Sequence, residues 1–148
     1  MSTQAPTPEN PRFREVIARI VGLPGFIQEM GVELDRLEPG EADMRLVPRP
    51  GLLQFTGAVH GGAVGALADH AAGCAATSLM PEGQVAITAE YKINFLEPAK
   101  GEAVVARARV ERAGRRVTVV RVDVYARTGE AERKCAIATV TLTPARFG

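Results

Sequence analysis

From Pro50 to Pro81 the chain carries one formal charge, Asp69, inside a run rich in alanine and glycine. Val64, Leu67, Ala68, Ala71, Ala72, Ala75 and Leu79 recur there at helical intervals. The spacing predicts a helix over 60–79, ended by Pro81 and Gly83. Small or apolar residues surround it on nearly every side, so the helix is expected to be buried all round. Other elements must therefore wrap it.

The flanking segments supply those elements. Phe13, Val16, Ile17, Ile20 and Val21 follow helical spacing, with a break at Leu23-Pro24-Gly25 and a short helical turn to Met30. Two strand-like segments, 32–37 and 42–47, meet at Glu38-Pro39-Gly40. After the helix, Val85–Phe95 alternates with its odd positions apolar and most even ones polar. Strands follow at 102–112, 117–127 and 132–143, separated by turns. Three hairpin-like links between these last four strands imply an antiparallel meander. The expected architecture is α+β: a six-stranded antiparallel sheet around one long central helix, with a short N-terminal helix. Residues 1–10 are polar and Pro-rich and are expected to be disordered, leaving 11–148 as a single domain.

Composition narrows the function. A net charge of +1 and 5% aromatic residues without tryptophan leave neither the basic excess nor the stacking platforms of a nucleic-acid protein. No secretory leader or membrane span is read, since the charge-poor stretch holds His60, Asp69, His70 and several glycines. Cys74 and Cys135 fit reduced core thiols of a cytoplasmic protein, a redox pair being the alternative.

Within that frame Asp69 stands out. Burying an unpaired carboxylate costs several kcal/mol or raises its pKa, so a chain that keeps one there has a use for it. The alternative is a structural carboxylate bonded to His70 or to a strand hydroxyl. His60-Gly61-Gly62 opens the same helix, and two glycines there lower helix propensity by about 1 kcal/mol each. What they offer is bare N–H at the positive end of the helix dipole, suited to an oxyanion. Alternatively the glycines only let a strand pack closely, and His60 is only structural. Gly61 and Asp69 lie roughly 12 Å apart along a helix axis, so one chain cannot bring both to one substrate carbon. If both act together, the protein is at least a homodimer around a two-fold axis.

The motif Gln54-Phe-Thr-Gly-Ala-Val-His60-Gly61-Gly62, then Leu67-Ala68-Asp69, then Thr88 ahead of Asn94-Phe95-Leu96-Glu97-Pro98, resembles the hotdog-fold acyl-CoA thioesterases. It is most similar to the phenylacetate-pathway branch, with its human relatives and the 4-hydroxybenzoyl-CoA thioesterases, and the resemblance covers about residues 28–143. It implies an acyl-CoA substrate, a homodimer or homotetramer, and no cofactor beyond the coenzyme A of the substrate. By position it gives Gly61 the oxyanion-donating N–H, and Asp69 of the partner subunit the role of general base or nucleophile. Gln54 would place the carboxylate, water or thioester, and Thr88 would orient the water. Gly73 stands where the 4-hydroxybenzoyl branch has threonine, and the acid is Asp rather than Glu. His70 lies outside the motif and reads as structural or as tuning Asp69.

Coenzyme A phosphates require cations. Arg115 and Arg116, at the turn after Gly114, are the first candidates, with Gly62 beside Gly61 as a further coenzyme-binding position; Lys100 and Arg49 are weaker ones. His60 and His70 with one Asp make no metal set. Two competing functions are a dehydratase or hydratase acting on acyl thioesters and a non-catalytic acyl-CoA-binding module. The acid nine residues after His60 disfavours the first, and the lack of sequence for an effector domain disfavours the second.

Overall fold

A computed structural model describes residues 5–148. The part of the expected disordered tail at 1–4 lies outside the described residues. Residues 5–10 form no helix or strand, yet Asn10 is buried and its side chain accepts the Arg12 N–H just ahead of the first helix.

Helices α1 (Phe13–Gly22) and α2 (Phe26–Glu29) flank the break at Pro24, whose ring cannot continue a helix. Strands β1 (Glu33–Glu38) and β2 (Glu41–Leu46) follow, joined through Gly40 at φ 78°, a conformation favouring glycine. Then come α3 (Gly61–Thr77), β3 (Gln84–Phe95), β4 (Ala103–Ala113), β5 (Thr118–Thr128) and β6 (Ala131–Arg146). The six strands form one antiparallel sheet in the order β1-β2-β4-β5-β6-β3. With α3 packed against its strands, this is the hotdog arrangement. Leu67, Ala68, Ala71, Ala72 and Ala75 of α3 and Val104, Val120, Val122, Val124 and Val140 of the sheet are all essentially inaccessible. Alanine on so many helix positions lets the sheet close to native density around α3, which larger side chains would hold apart.

Three sequence expectations change. The last four strands are not one meander: β4-β5-β6 is, but β3 pairs with β6 at the far edge, and β4 pairs with β2. The β3–β4 link is therefore a crossover. Leu96 and Glu97 still donate to Cys135 O along β6, and Ala99 O then accepts the Val59 N–H at the entrance to α3. That contact carries the chain past the start of the helix to the middle of the sheet.

The strict alternation in β3 is also broken. A bulge between Thr88 and Glu90 shifts the register against β6. Thr88 reaches α3 through Asp69, and Tyr91 and Phe95 lie against Gly65 and Gly61 of the same helix. An even and two odd positions can share a face only because the bulge inserts one residue between them.

Finally, α3 is not buried all round. Gly62, Ala66, Asp69 and Gly73, at i, i+4, i+7 and i+11, keep solvent access along one stripe, with Gly61 and His70 half-buried beside it. The structure describes no helix long and apolar enough to cross a membrane.

Candidate active site

The start of α3 is organised by His60. Its Nδ1 accepts the Gly62 N–H at 2.8 Å, the geometry of a helix N-cap. An accepting Nδ1 leaves the ring proton on Nε2, so His60 serves the fold as a cap and has no free lone pair as a base. The same bond occupies the Gly62 N–H, so Gly62 is not an open donor for coenzyme phosphates. The N–H of Gly61, one of the groups a helix start leaves without an intrahelical acceptor, has no acceptor among the described residues.

Gly61 is glycine for a second reason. A Cβ there would stand 2.9 Å from Phe95 Cζ, and one at Gly65 would stand 2.9 Å from the Tyr91 hydroxyl. The close strand approach raised as an alternative in the sequence is real, and it coexists with the unpaired N–H.

Gly61 borders a cavity of about 610 Å3, with Gln54, Phe55, His60, Phe95 and Cys135 among its walls. That volume falls in the usual range for small-molecule sites. Gln54 Oε1 accepts the Thr56 N–H at 3.3 Å, which leaves the Gln54 amide NH2 to donate elsewhere. Phe55 is fully exposed at the mouth, and Phe95 is 56% exposed. The sequence motif contained both aromatics without assigning them a role. The glycine–aromatic pairing across α3 and β3 was the missing signal, and it depends on the bulge.

Asp69 is not in this cavity. It sits two turns along α3 on the open stripe, where the Thr88 hydroxyl donates to its Oδ1 at 2.6 Å. It is therefore neither fully buried nor unpaired. The bond is also what a purely structural carboxylate would make. Having donated its proton, the Thr88 oxygen retains lone pairs that can accept from a water beside Asp69. His70 is pushed below its ordinary pKa by burial, with the adjacent Asp69 charge partly offsetting that.

The candidate cations stand apart from the Gly61 cavity. Arg115 and Arg116 share a shallow groove with Arg112 at the β4–β5 turn, and none of the three forms an ion pair among the described residues. Thr118 pairs with Leu142, which pairs with Thr88, so this turn lies at the Asp69 end of the sheet. Arg49 is turned to the Glu29 carbonyl, and Lys100 is exposed. Cys74 and Cys135 are free and buried, and burial pushes the Cys74 thiol up to about 12, which keeps it protonated.

Gln54 and Gly61 thus line one cavity, while the Asp69–Thr88 pair lies outside it. Comparison with known proteins bears on the family and the fold. The sequence profile of the thioesterase superfamily matches residues 56–132. A Saccharolobus solfataricus protein that carries an esterase name is 33% identical over 96 residues, 65% of this chain; the match spans 63% of that relative's length. The structure of a thioesterase family protein from Silicibacter pomeroyi superposes with a TM-score of 0.87 at 33% identity, covering 91% of this chain and 99% of the other. A mutant phenylacetic acid degradation protein from Thermus thermophilus superposes at 0.69 with 28% identity, over 80% and 96% of the two chains.

Proposed function

The chain belongs to the thioesterase superfamily, and from that premise we propose that it hydrolyses an acyl-CoA thioester to a free acid and coenzyme A, with Asp69 of one subunit acting at Gly61 of another. The acyl group is of the aryl, (hydroxy)phenylacetyl or medium-chain kind, in keeping with the phenylacetate-pathway branch. The single observation that carries the reading is the Thr88–Asp69 hydrogen bond on a solvent-accessible stripe of an otherwise buried helix.

The steps follow from the atoms. The thioester oxygen lies at the Gly61 N–H, which stabilises the charge developing on it, helped by the α3 dipole. Gln54 donates its amide to the thioester or to the water. Asp69 takes a proton from the water that attacks the carbonyl carbon, and the adduct collapses by breaking the C–S bond and expelling the coenzyme A thiolate, which takes up that proton. Alternatively Asp69 attacks the carbon itself, expels the same thiolate and forms an anhydride that water then opens to the free acid and the carboxylate. Thr88 holds both the carboxylate and the water. Arg115 and Arg116, from the subunit that supplies Asp69, face the coenzyme phosphates.

Two copies are needed because hydrogen-bond reach is about 3 Å while Gly61 and Asp69 of one chain are separated by about 12 Å of helix. Two features support pairing. The accessible positions of α3 are Gly61, Gly62, Ala66, Asp69, His70 and Gly73, and four of these six are glycine or alanine, small enough for a second helix to approach beside Asp69. Strand β3 is an edge that exposes Ile87 (54%) and Tyr91 (41%), and such edges are ordinarily covered. Pairs of dimers would complete a homotetramer.

The test is thiol release from a panel of acyl-CoAs, with Asp69→Asn alongside the unaltered chain. A fall in kcat of about 10²–10⁴-fold with the fold intact is expected. Near-normal turnover by Asp69→Asn refutes the reading, and an enoyl or 3-hydroxyacyl product without free thiol replaces it with a dehydratase or hydratase.

A further inference from the structure

Gly61, Gly65 and Asp69 follow one another along α3 at intervals of about one helical turn, and strand β3 meets each of them. A Cβ at Gly61 would lie 2.9 Å from Phe95 Cζ, and a Cβ at Gly65 would lie 2.9 Å from the Tyr91 hydroxyl. The Thr88 hydroxyl donates to Asp69 Oδ1 at 2.6 Å. Tyr91 is the middle rung of these three. Phe95 borders the Gly61 cavity and Thr88 holds the carboxylate, whereas the Tyr91 hydroxyl forms no hydrogen bond among the described residues. It stands against the buried Gly65 with its polar atom unused.

The symmetry of a two-subunit site fixes where that hydroxyl lies. If Asp69 of one chain stands level with Gly61 of another, the two α3 helices run antiparallel about a two-fold axis. Gly65 is midway between positions 61 and 69. It must therefore stand level with its own copy, and the axis passes beside it to within about one residue of helix rise, about 1.5 Å. Of the three rungs, Tyr91 is the one at the axis. Its setting suits an interface: β3 is the edge strand of the sheet, and Tyr91 is 41% exposed on it. A tyrosine presents an apolar ring for burial and a hydroxyl that seeks a partner.

We infer that the two-fold axis of the dimer passes at Gly65, that the Tyr91 hydroxyls of the two chains meet there in a hydrogen bond, and that Tyr91 is a positioning residue for the hydrolysis. This rests on the preceding reading, in which Asp69 acts at Gly61 of another chain. One hydroxyl donates and its copy accepts, at an ordinary O···O separation of about 2.8 Å. The pair sets the register of the two helices, and both sites depend on that register. A slip of one residue moves Asp69 by about 1.5 Å relative to Gly61 of the other chain. A misplacement of about 1 Å is enough to slow a reaction about 10²-fold. Gly65 serves the same end, because any side chain there would push the hydroxyl away.

The chain has two tyrosines, Tyr91 and Tyr125, and Tyr125 is stacked with Arg107 and Lys134. Photo-oxidation with a ruthenium tris-bipyridyl complex and persulfate takes one electron and one proton from each of two neighbouring tyrosines and joins their rings by a C–C bond, the persulfate being reduced to sulfate. The full chain should give a covalent dimer joined Tyr91 to Tyr91. Tyr125→Phe should give the same product, and Tyr91→Phe should not. Tyr91→Phe keeps the ring and loses only the hydroxyl, so thiol release by the dimer should show kcat down about tenfold with KM little changed. A hydroxyl that served only its own chain would alter the melting temperature and leave kcat as it was. Gly65→Ala should cost about as much as Tyr91→Phe, and combining the two should cost little more, since the ring atoms that remain lie 3.5 Å or more from the added Cβ. Cross-links through Tyr125 alone or none at all, an unchanged kcat in Tyr91→Phe, or losses that multiply in the double variant overturn the proposal. If Tyr91 cross-links and no acyl-CoA releases thiol, the hydrolase reading fails and the axis stands. Thiol release by a protein that does not cross-link through Tyr91 leaves the hydrolase reading and removes the axis.

Discussion

If the reacting centre is shared between chains, two variants broken in different halves must repair each other. Asp69→Asn removes the carboxylate half and leaves Gln54 and Gly61 untouched. Gln54→Ala removes the donor beside Gly61 and leaves Asp69 and Thr88 untouched. Gly61→Ala is the less suitable partner, because its Cβ would lie 2.9 Å from Phe95 Cζ and would disturb the strand as well as the site. Differently tagged chains are co-expressed, and the hybrid carrying both tags is purified in two affinity steps.

The magnitude follows from counting sites. In a hybrid dimer one site joins the intact Gln54 and Gly61 of the first chain to the intact Asp69 of the second, and the other site carries both lesions. The hybrid should then turn over at about half the rate of the unaltered dimer. The Asp69→Asn homodimer should be down about 10²–10⁴-fold, and the Gln54→Ala homodimer about tenfold or more. A site built within one chain predicts something different: the hybrid would run at the mean of its two parents, a few per cent at best on those parental losses. Thiol release under saturating substrate separates half from a few per cent without ambiguity. A hybrid at the parental mean refutes the two-subunit site, and with it the separation of about 12 Å as the reason for the dimer.

Thr88→Val keeps the shape of the side chain and deletes the hydroxyl that donates to Asp69 Oδ1 at 2.6 Å. Steady-state kinetics should show kcat down about tenfold with KM little changed, as for an interaction made chiefly in the transition state. Replacing Arg115 and Arg116 together by alanine should raise KM for acyl-CoA about tenfold and leave KM for the matching acyl-pantetheine thioester unchanged, since only the former carries the nucleotide phosphates. His70 titrates below its ordinary 6.5 in the folded chain because burial disfavours its cation. Between the folded and unfolded values the unfolded chain binds more protons, so stability must fall as pH drops below about 6.5 and level off below the folded pKa, by at most about 1.4 kcal/mol per pH unit. Melting curves from pH 8 to 5 should show this loss in the unaltered protein and a smaller one in His70→Leu.

The sequence made the long apolar helix, the broken N-terminal helix and the strand count legible, because hydrophobic spacing reports directly on which face each element buries. Pairing partners were less accessible. Short links between β4, β5 and β6 dictate hairpins, but the link from Phe95 to Ala103 reads like another turn, and only the Val59–Ala99 contact shows that it crosses the start of α3. The positions of Gln54, Gly61, Asp69 and Thr88 were accessible as a motif. The separation of Gly61 from Asp69 along α3 followed from helix rise alone, and Asp69 lies outside the Gly61 cavity. The roles of Phe95 and Tyr91 were not accessible, because a one-residue bulge inverts the face of everything after it and leaves no mark in the alternation of residue types.

That bulge also joins fold to chemistry. Thr88 must face α3 to reach Asp69, and Tyr91 and Phe95 must face α3 to close over Gly65 and Gly61. In a regular strand these demands conflict, since positions 88 and 91 point to opposite faces. Had β3 stayed regular with Thr88 inward, Glu90, Lys92 and Asn94 would lie against the apolar helix. With the opposite register the aromatics would be inward and Asp69 would lose its hydroxyl. Inserting Ala89 as the extra residue satisfies both, on the edge strand where one disrupted ladder position disturbs a single neighbour. A deletion of Ala89 should therefore cost the chain either its packing at Gly61 or its bond at Asp69, and no regular strand could keep both.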